Sequence, residues 1–297
     1  MGRRTPAAAP LLCLGLGLAL ALAGCSIAEP TDAARAASFQ ALAQRHIEGE
    51  PLWRFLRQRT VDVISGVELH EVHATETGYY WRGQPTGEAH QFGLSAAVPV
   101  AEDGYFLTTA HSVPWEPSYV VIRKGEQVRW APARVVWRGE AASDGFSLLR
   151  RPQWSGETDL AILYAPLAPP AVIEHWADAE ALSVGEPLAG AGSSGVFAGQ
   201  LLELGIGVVE LEEPGTADGG GVMWLRHDLP TRGGDSGGPV VLTDGRFAGI
   251  HSKGIWTLNL LSPGELYHHT GVTVLPERDW VMQVIDDDRQ RRAAGDF

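Results

Sequence analysis

Thr231-Arg232-Gly233-Gly234-Asp235-Ser236-Gly237-Gly238-Pro239 is the stretch that decides how the rest of the chain reads. One serine stands among four glycines and ahead of a proline. Glycine reaches backbone angles that other residues avoid, so such a run folds into a tight turn. A tight turn can hold a hydroxyl clear of the backbone and aim successive N–H groups at one point. Acyl transfer needs that combination, a nucleophile beside donors for the oxyanion that develops. An ordinary Gly-rich hairpin loop would account for Gly-Asp-Ser-Gly alone. The six residues from Gly234 to Pro239 are much more specific.

A serine hydroxyl is a weak nucleophile until a base takes its proton, and the base needs an acid to fix its tautomer. Of the ten histidines, His111 has the most telling context, because the strand-like run Leu107-Thr108-Thr109-Ala110 leads straight into it. Asp159 stands directly before the apolar run Leu160-Ala161-Ile162-Leu163. Each alone has a plain alternative: a strand-end histidine, a strand-start aspartate, a loop serine. Together, in the order His111, Asp159, Ser236, they resemble the three motifs of the chymotrypsin-like (trypsin-like) serine peptidases. The resemblance covers residues 61–285 and is specific at those motifs. The insertion at 141–157 has no assigned counterpart.

That resemblance implies two six-stranded antiparallel β-barrels with the site in the cleft between them. It implies that Ser236 attacks the scissile carbonyl, while His111 acts first as general base and then as general acid. Asp159 would orient His111, and the N–H groups of Gly234 and Ser236 would form the oxyanion hole. In secreted members the acid matching Asp235 pairs with a new N-terminus freed by cleavage. A cut near Ile64-Ser65-Gly66 would release the catalytic body from the anchor described below, so no such activation is expected. The partner of Asp235 is left open.

On the substrate side, Pro230 falls at the base of the family's primary pocket and is followed by Thr231. No acid stands there, so specificity for Arg or Lys is not expected. Ala248 to Gly254 matches the strand that pairs with substrate backbone, with Ser252 and Gly254 on the contact positions. His251 falls where glutamyl endopeptidases carry a pocket histidine, and with Thr231 it could bind an acidic side chain. A histidine that merely fills the barrel wall is the alternative. Lys253 replaces a common aromatic residue and would widen or charge the rim. The substrate class is protein or peptide, and no cofactor is implied.

Gly-x-Ser-x-Gly is also the nucleophile elbow of α/β-hydrolases. That fold places acid and histidine after the serine, on a strand–turn–helix. Here both motifs precede Ser236 and a β-hairpin follows it, so the hydrolase fold is rejected. His70-Glu71-Val72-His73 invites a metal reading, but residues three apart on a strand face opposite sides and the helical His-Glu-x-x-His spacing is missing. A solvated strand edge explains it better, and His268-His269 reads as surface.

Outward from the motifs, short β-rich runs separated by turn residues fill the chain from Val61 onward, and the expectation is an all-β fold. Leu167-Ala168-Pro169-Pro170 reads as the linker between an N-terminal barrel at 61–166 and a C-terminal barrel at 171–275. A terminal helix is expected over 277–287, with Trp280, Val281, Val284 and Ile285 on one face and Asp286-Asp287-Asp288 as a frayed end. No appended peptide-binding domain is expected after it. Ahead of the catalytic domain, 34–59 has helical spacing broken by Gly49-Glu50-Pro51, which predicts two short helices.

Arg3, Arg4 and the apolar run Leu11 to Ala23 read as a secretory signal too short to span a bilayer. The run ends in Leu22-Ala23-Gly24-Cys25, which resembles the lipobox of bacterial lipoproteins. The resemblance implies cleavage before Cys25, acylation of that cysteine, and tethering to a lipid bilayer through residues 25–60. A cell-envelope location follows, and Ser26 leans towards the outer membrane if the source is Gram-negative. Cys13 leaves with the signal, so the mature chain has no disulfide and its core must carry the fold. Loss of residues 1–24 leaves 21 of the 23 basic side chains against 36 acidic ones, a formal charge of −15. Such a surface disfavours nucleic acid as a partner. The competing class is a catalytically silent peptide-binding protein that keeps the cleft without turnover.

Overall fold

Apolar and β-branched residues alternating with polar ones, as in Val61-Asp62-Val63-Ile64, bury one strand face and leave the other towards solvent or a second layer. In the computed structural model, which describes residues 41, 44–75, 79–86, 93–124, 127–140, 158–207, 222–258 and 266–296, such runs close into two antiparallel six-stranded barrels. The chain enters through β1 (His46–Ile47), β2 (Glu50–Pro51) and α1 (Leu52–Gln58). It continues through β3 (Val61–Ser65), β4 (Val67–Ala74), β5 (Tyr79–Pro85), β6 (Gly93–Ala101) and β7 (Tyr105–Thr108). A 3-10 turn at Ala110–Ser112 leads to β8 (Ser118–Lys124), β9 (Gln127–Arg138) and β10 (Ala161–Tyr164). The first barrel runs β10-β7-β6-β3-β8-β9. Val63, Ala97, Phe106, Val120 and Leu163 are buried together inside it.

The second half comprises β11 (Pro187–Gly192), β12 (Gly195–Gly207), β13 (Val222–His227), β14 (Pro239–Leu242), β15 (Phe247–Leu258) and β16 (Leu266–Pro276). Its barrel runs β11-β12-β13-β16-β15-β14. Leu188, Leu225, Val240, Phe247 and Val274 lie in its core. The architecture is the expected all-β one. The strand β11, Pro-Leu-Ala-Gly-Ala-Gly, has little intrinsic β preference. It forms because β12 and β14 pair with it on both sides, and its small residues make room: a Cβ on Gly190 would sit 2.5 Å from the Phe197 ring.

Glu50-Pro51 forms the short strand β2 directly ahead of α1, the second of the two expected helices. Glu48 and Gly49, with φ of +52° and +84°, make a tight turn that pairs β1 with β2 ahead of α1. The proposed helix before them falls largely outside the described residues. The terminal helix, α2, spans Arg278–Ala294, well beyond 287, and stops where Gly295 takes a left-handed conformation.

Asp288 is therefore no frayed end. It is fully buried, accepts the Tyr105 hydroxyl at 2.9 Å, and takes Arg134 Nη2 on both oxygens at 2.9 and 2.7 Å. A buried carboxylate persists only when paired and hydrogen-bonded, and both conditions are met. Arg289 binds Asp103 at 2.9 and 2.6 Å, and the Arg292 guanidinium lies 3.6 Å from the centre of the Tyr164 ring. By these contacts the helix that follows the second barrel is fastened to the first.

Candidate active site

His111 lies in the 3-10 turn that ends β7, so the buried strand Tyr105–Thr108 sets its backbone position. Asp159 immediately precedes Leu160 and β10, the strand paired with β7. It has a positive φ of 23°, a conformation Asp tolerates better than most residues but still a strained one. That strain is held in place by its bonds. Asp159 Oδ1 accepts the His111 N–H at 3.0 Å, and the ring Nδ1 approaches Oδ2 at 2.9 Å and Oδ1 at 3.1 Å. The Ser252 hydroxyl also donates to Oδ2.

Asp159 is fully buried, and burial pushes its pKa up. The hydrogen bond and charge of His111, with the Ser252 bond, outweigh burial and hold the carboxyl below its ordinary range. An ionised Asp159 only accepts hydrogen bonds, so it places the imidazole proton on Nδ1. Nε2 is then left as an acceptor on a side chain that is 32 % exposed, which is what a general base requires.

Ser236 is held by its backbone rather than by its side chain. Its carbonyl accepts the Ala96 N–H at 2.7 Å, tying the Gly234–Pro239 loop to β6 of the first barrel. Gly237 N–H donates to His251 O at 2.7 Å, and His251 N–H to Gly238 O at 2.8 Å. Gly237 has φ +83°, and a Cβ there would lie 2.0 Å from Ala96 O, so no other residue fits. Among the described residues, the N–H groups of Gly234 and Ser236 have no hydrogen-bond acceptor, which leaves both donors for a ligand oxygen.

The Ser236 hydroxyl points at Ser252 O, 3.2 Å away, and among the described residues it makes no hydrogen bond to His111. Ser252 thus touches both groups, its carbonyl facing Ser236 and its hydroxyl facing Asp159. A rotation about one Ser236 bond redirects the hydroxyl, and catalytic bonds commonly tighten only once substrate is seated.

Asp235, whose partner the sequence left open, is fully buried and accepts three bonds. Ser194 N–H and hydroxyl donate at 2.8 and 2.7 Å, and Arg232 N–H at 2.7 Å. The β11–β12 turn thus supplies two of the three donors that hold the Asp235 carboxylate.

Of the expected substrate-binding residues, Pro230 is exposed while Thr231 and His251 are almost fully buried. Ser252 is buried, and Gly254 and Lys253 are half-buried on β15. His227, not singled out from the sequence, is fully buried with its ring 5.5 Å from that of His251. Its Nδ1 accepts the Leu229 N–H at 3.2 Å, and the missing side chain at Gly271 makes room for it. Histidine spacing gave no signal for this pair, because β13 and β15 meet only through β16.

His70 and His73 are exposed; His73 stacks on Tyr80 at 4.9 Å and bonds Glu71 at 3.0 Å. Among the described residues no group of three or more His, Cys, Asp or Glu side chains could hold a metal ion. The side chains of His268 and His269, the 141–157 insertion and Cys25 lie outside the described residues.

No curated protein matches the chain. Solved structures do. A variant of the HtrA-type protease AlgW with a tripeptide aligns at a TM-score of 0.48 and 18 % identity, covering 78 % of this chain and 60 % of that one. The active form of the Rv3671c protease from M. tuberculosis aligns at 0.45 and 15 %, covering 74 % and 76 %. The chain thus spans about three fifths of the AlgW chain. Residues 95–250, more than half of the sequence, match the model of the trypsin-like peptidase domain. This segment includes His111, Asp159 and Ser236, and the chain belongs to the trypsin-like peptidase domain family.

Proposed function

We propose that the protein is a serine endopeptidase that cuts peptide bonds through an acyl-enzyme formed on Ser236. The observation that carries this reading is Asp159: a buried, ionised carboxylate that fixes Nδ1–H on an accessible His111 while Ser252 links it to Ser236. His111 Nε2 takes the Ser236 proton as the hydroxyl oxygen attacks the scissile carbonyl, and the Gly234 and Ser236 N–H groups receive the oxyanion. The proton then passes to the leaving amine. Water, deprotonated by the same nitrogen, releases the acid product and restores the serine.

For the residue before the cut, the absence of an acid at Pro230-Thr231 argues against Arg or Lys. The polar, buried Thr231 and His251 favour an acidic side chain. Wild type and Ser236→Ala, as residues 26–297, are offered a mixed peptide library read by mass spectrometry. Cuts after Glu or Asp by wild type alone are expected. Cuts after small or apolar residues would overturn the acidic preference, and no cuts would favour the silent binding protein.

We also infer that Cys25 is acylated and holds the domain at the bacterial cell envelope, on the strength of the apolar run Leu11 to Ala23 that ends in Leu22-Ala23-Gly24-Cys25. Several acyl chains, at about 0.8 kcal/mol per buried methylene, would make such an anchor stable. The full-length chain is expected in the membrane fraction, and Cys25→Ser in the soluble one. Equal partitioning of both would contradict the tether.

A further inference from the structure

The β11–β12 turn consists of Ser193 and Ser194, between paired Gly192 and Gly195. Ser194 holds Asp235, as described above, and the two segments are in close contact: a Cβ on Gly192 would lie 2.4 Å from Asp235 Oδ1. Any movement of the turn therefore carries the Asp235 carboxylate, and with it the loop bearing Gly234 and Ser236.

The other side of the turn is held from the first barrel. Ser193 donates its hydroxyl to Asp62 Oδ1 on β3 at 3.0 Å and approaches Ser95 O on β6 at 3.4 Å. Asp62 is partly buried, and a partly buried carboxylate that accepts a hydroxyl is oriented rather than freely solvated. The position of Gly234 agrees with this frame, since a Cβ there would lie 3.5 Å from Ser193 Cβ and 3.6 Å from Leu94 O.

We propose that Asp62 and Ser193 are positioning residues for the nucleophile loop: their contact across the two barrels holds the β11–β12 turn, and through Ser194 and Asp235 it aims the Gly234 and Ser236 N–H groups. Its effect on rate rests on the endopeptidase reading; its effect on the loop does not.

The test uses Ser193→Ala, Asp62→Ala, the double variant and Ser193→Thr, which keeps the hydroxyl. Amide hydrogen exchange over residues 232–238 is expected to quicken in the three alanine variants and to stay at the wild-type rate in Ser193→Thr. Exchange unchanged in the alanine variants overturns the proposal, whether or not the wild type cuts peptides. On a peptide that wild type cleaves, kcat is expected to fall about tenfold or more with KM little changed, since small misplacements at a reacting centre cost up to about 100-fold. The double variant is expected to be no slower than the slower single one, because both act through one contact. Losses confined to KM, or not recovered by Ser193→Thr, would also overturn it. Absence of Ser236-dependent cleavage by wild type would refute the endopeptidase reading and leave the exchange result to decide the positioning role.

Discussion

Ser236→Ala abolishes peptide cleavage, with an expected loss on the order of 10⁶-fold in kcat, the size seen when a triad serine is removed. The substitution takes away one oxygen and leaves the loop intact, because Gly237, Gly238 and the Ser236 carbonyl hold it through backbone bonds to His251 and Ala96. The His111–Asp159 pair also survives, since neither of its two partners depends on the Ser236 hydroxyl. The variant should fold and bind peptide with near wild-type affinity. Steady-state kinetics on a wild-type substrate, with peptide binding measured alongside, checks both statements. Retained turnover would mean that another group is the nucleophile.

Asp159→Asn is expected to lower kcat by about 10⁴-fold, through the tautomer of His111 rather than through its position. The carboxylate accepts from His111 N–H, His111 Nδ1 and Ser252 Oγ. An asparagine must turn an NH₂ group towards one of them. Facing Nδ1, it makes that nitrogen an acceptor and moves the ring proton to Nε2, where it can no longer take the Ser236 proton. Acid stability responds as well. Although burial raises the Asp159 pKa, the His111 and Ser252 bonds bring it below the unfolded value of about 3.9. The carboxylate therefore contributes stability that is complete above that value and lost as pH falls through the lower folded one. Denaturation midpoints between pH 7 and pH 3 should show this acid-side loss in wild type and a smaller one in Asp159→Asn. Identical pH profiles, or a kcat within tenfold of wild type, would contradict this account of Asp159.

The Gly234–Pro239 loop and the apolar runs at Leu107 and Leu160 could be read from the sequence because local chemistry decides them. A glycine is required where φ is positive and a carbonyl stands 2.0 Å from any Cβ, as at Gly237. Runs of β-branched and large apolar residues pair wherever a sheet accepts them. The features that escaped depend on neighbours distant in sequence. β11 is a strand because β12 and β14 flank it, and Asp288 is interior because Arg134 and Tyr105, more than 150 residues earlier, meet it. The sequence marks Ser252 only as a backbone contact, because its hydroxyl bond to Asp159 across 93 residues has no local signature. The Ser194 donors to Asp235 and the Ser193 bond to Asp62 belong to the same class.

Whether Ser236 is a nucleophile activated by His111 is decided by reaction of residues 26–297 with a fluorophosphonate, followed by peptide mass mapping. A single phosphonyl adduct on Ser236 is expected in wild type, with its loss in both Ser236→Ala and His111→Ala. An unlabelled wild type, an adduct on another residue, or undiminished labelling of His111→Ala would contradict it.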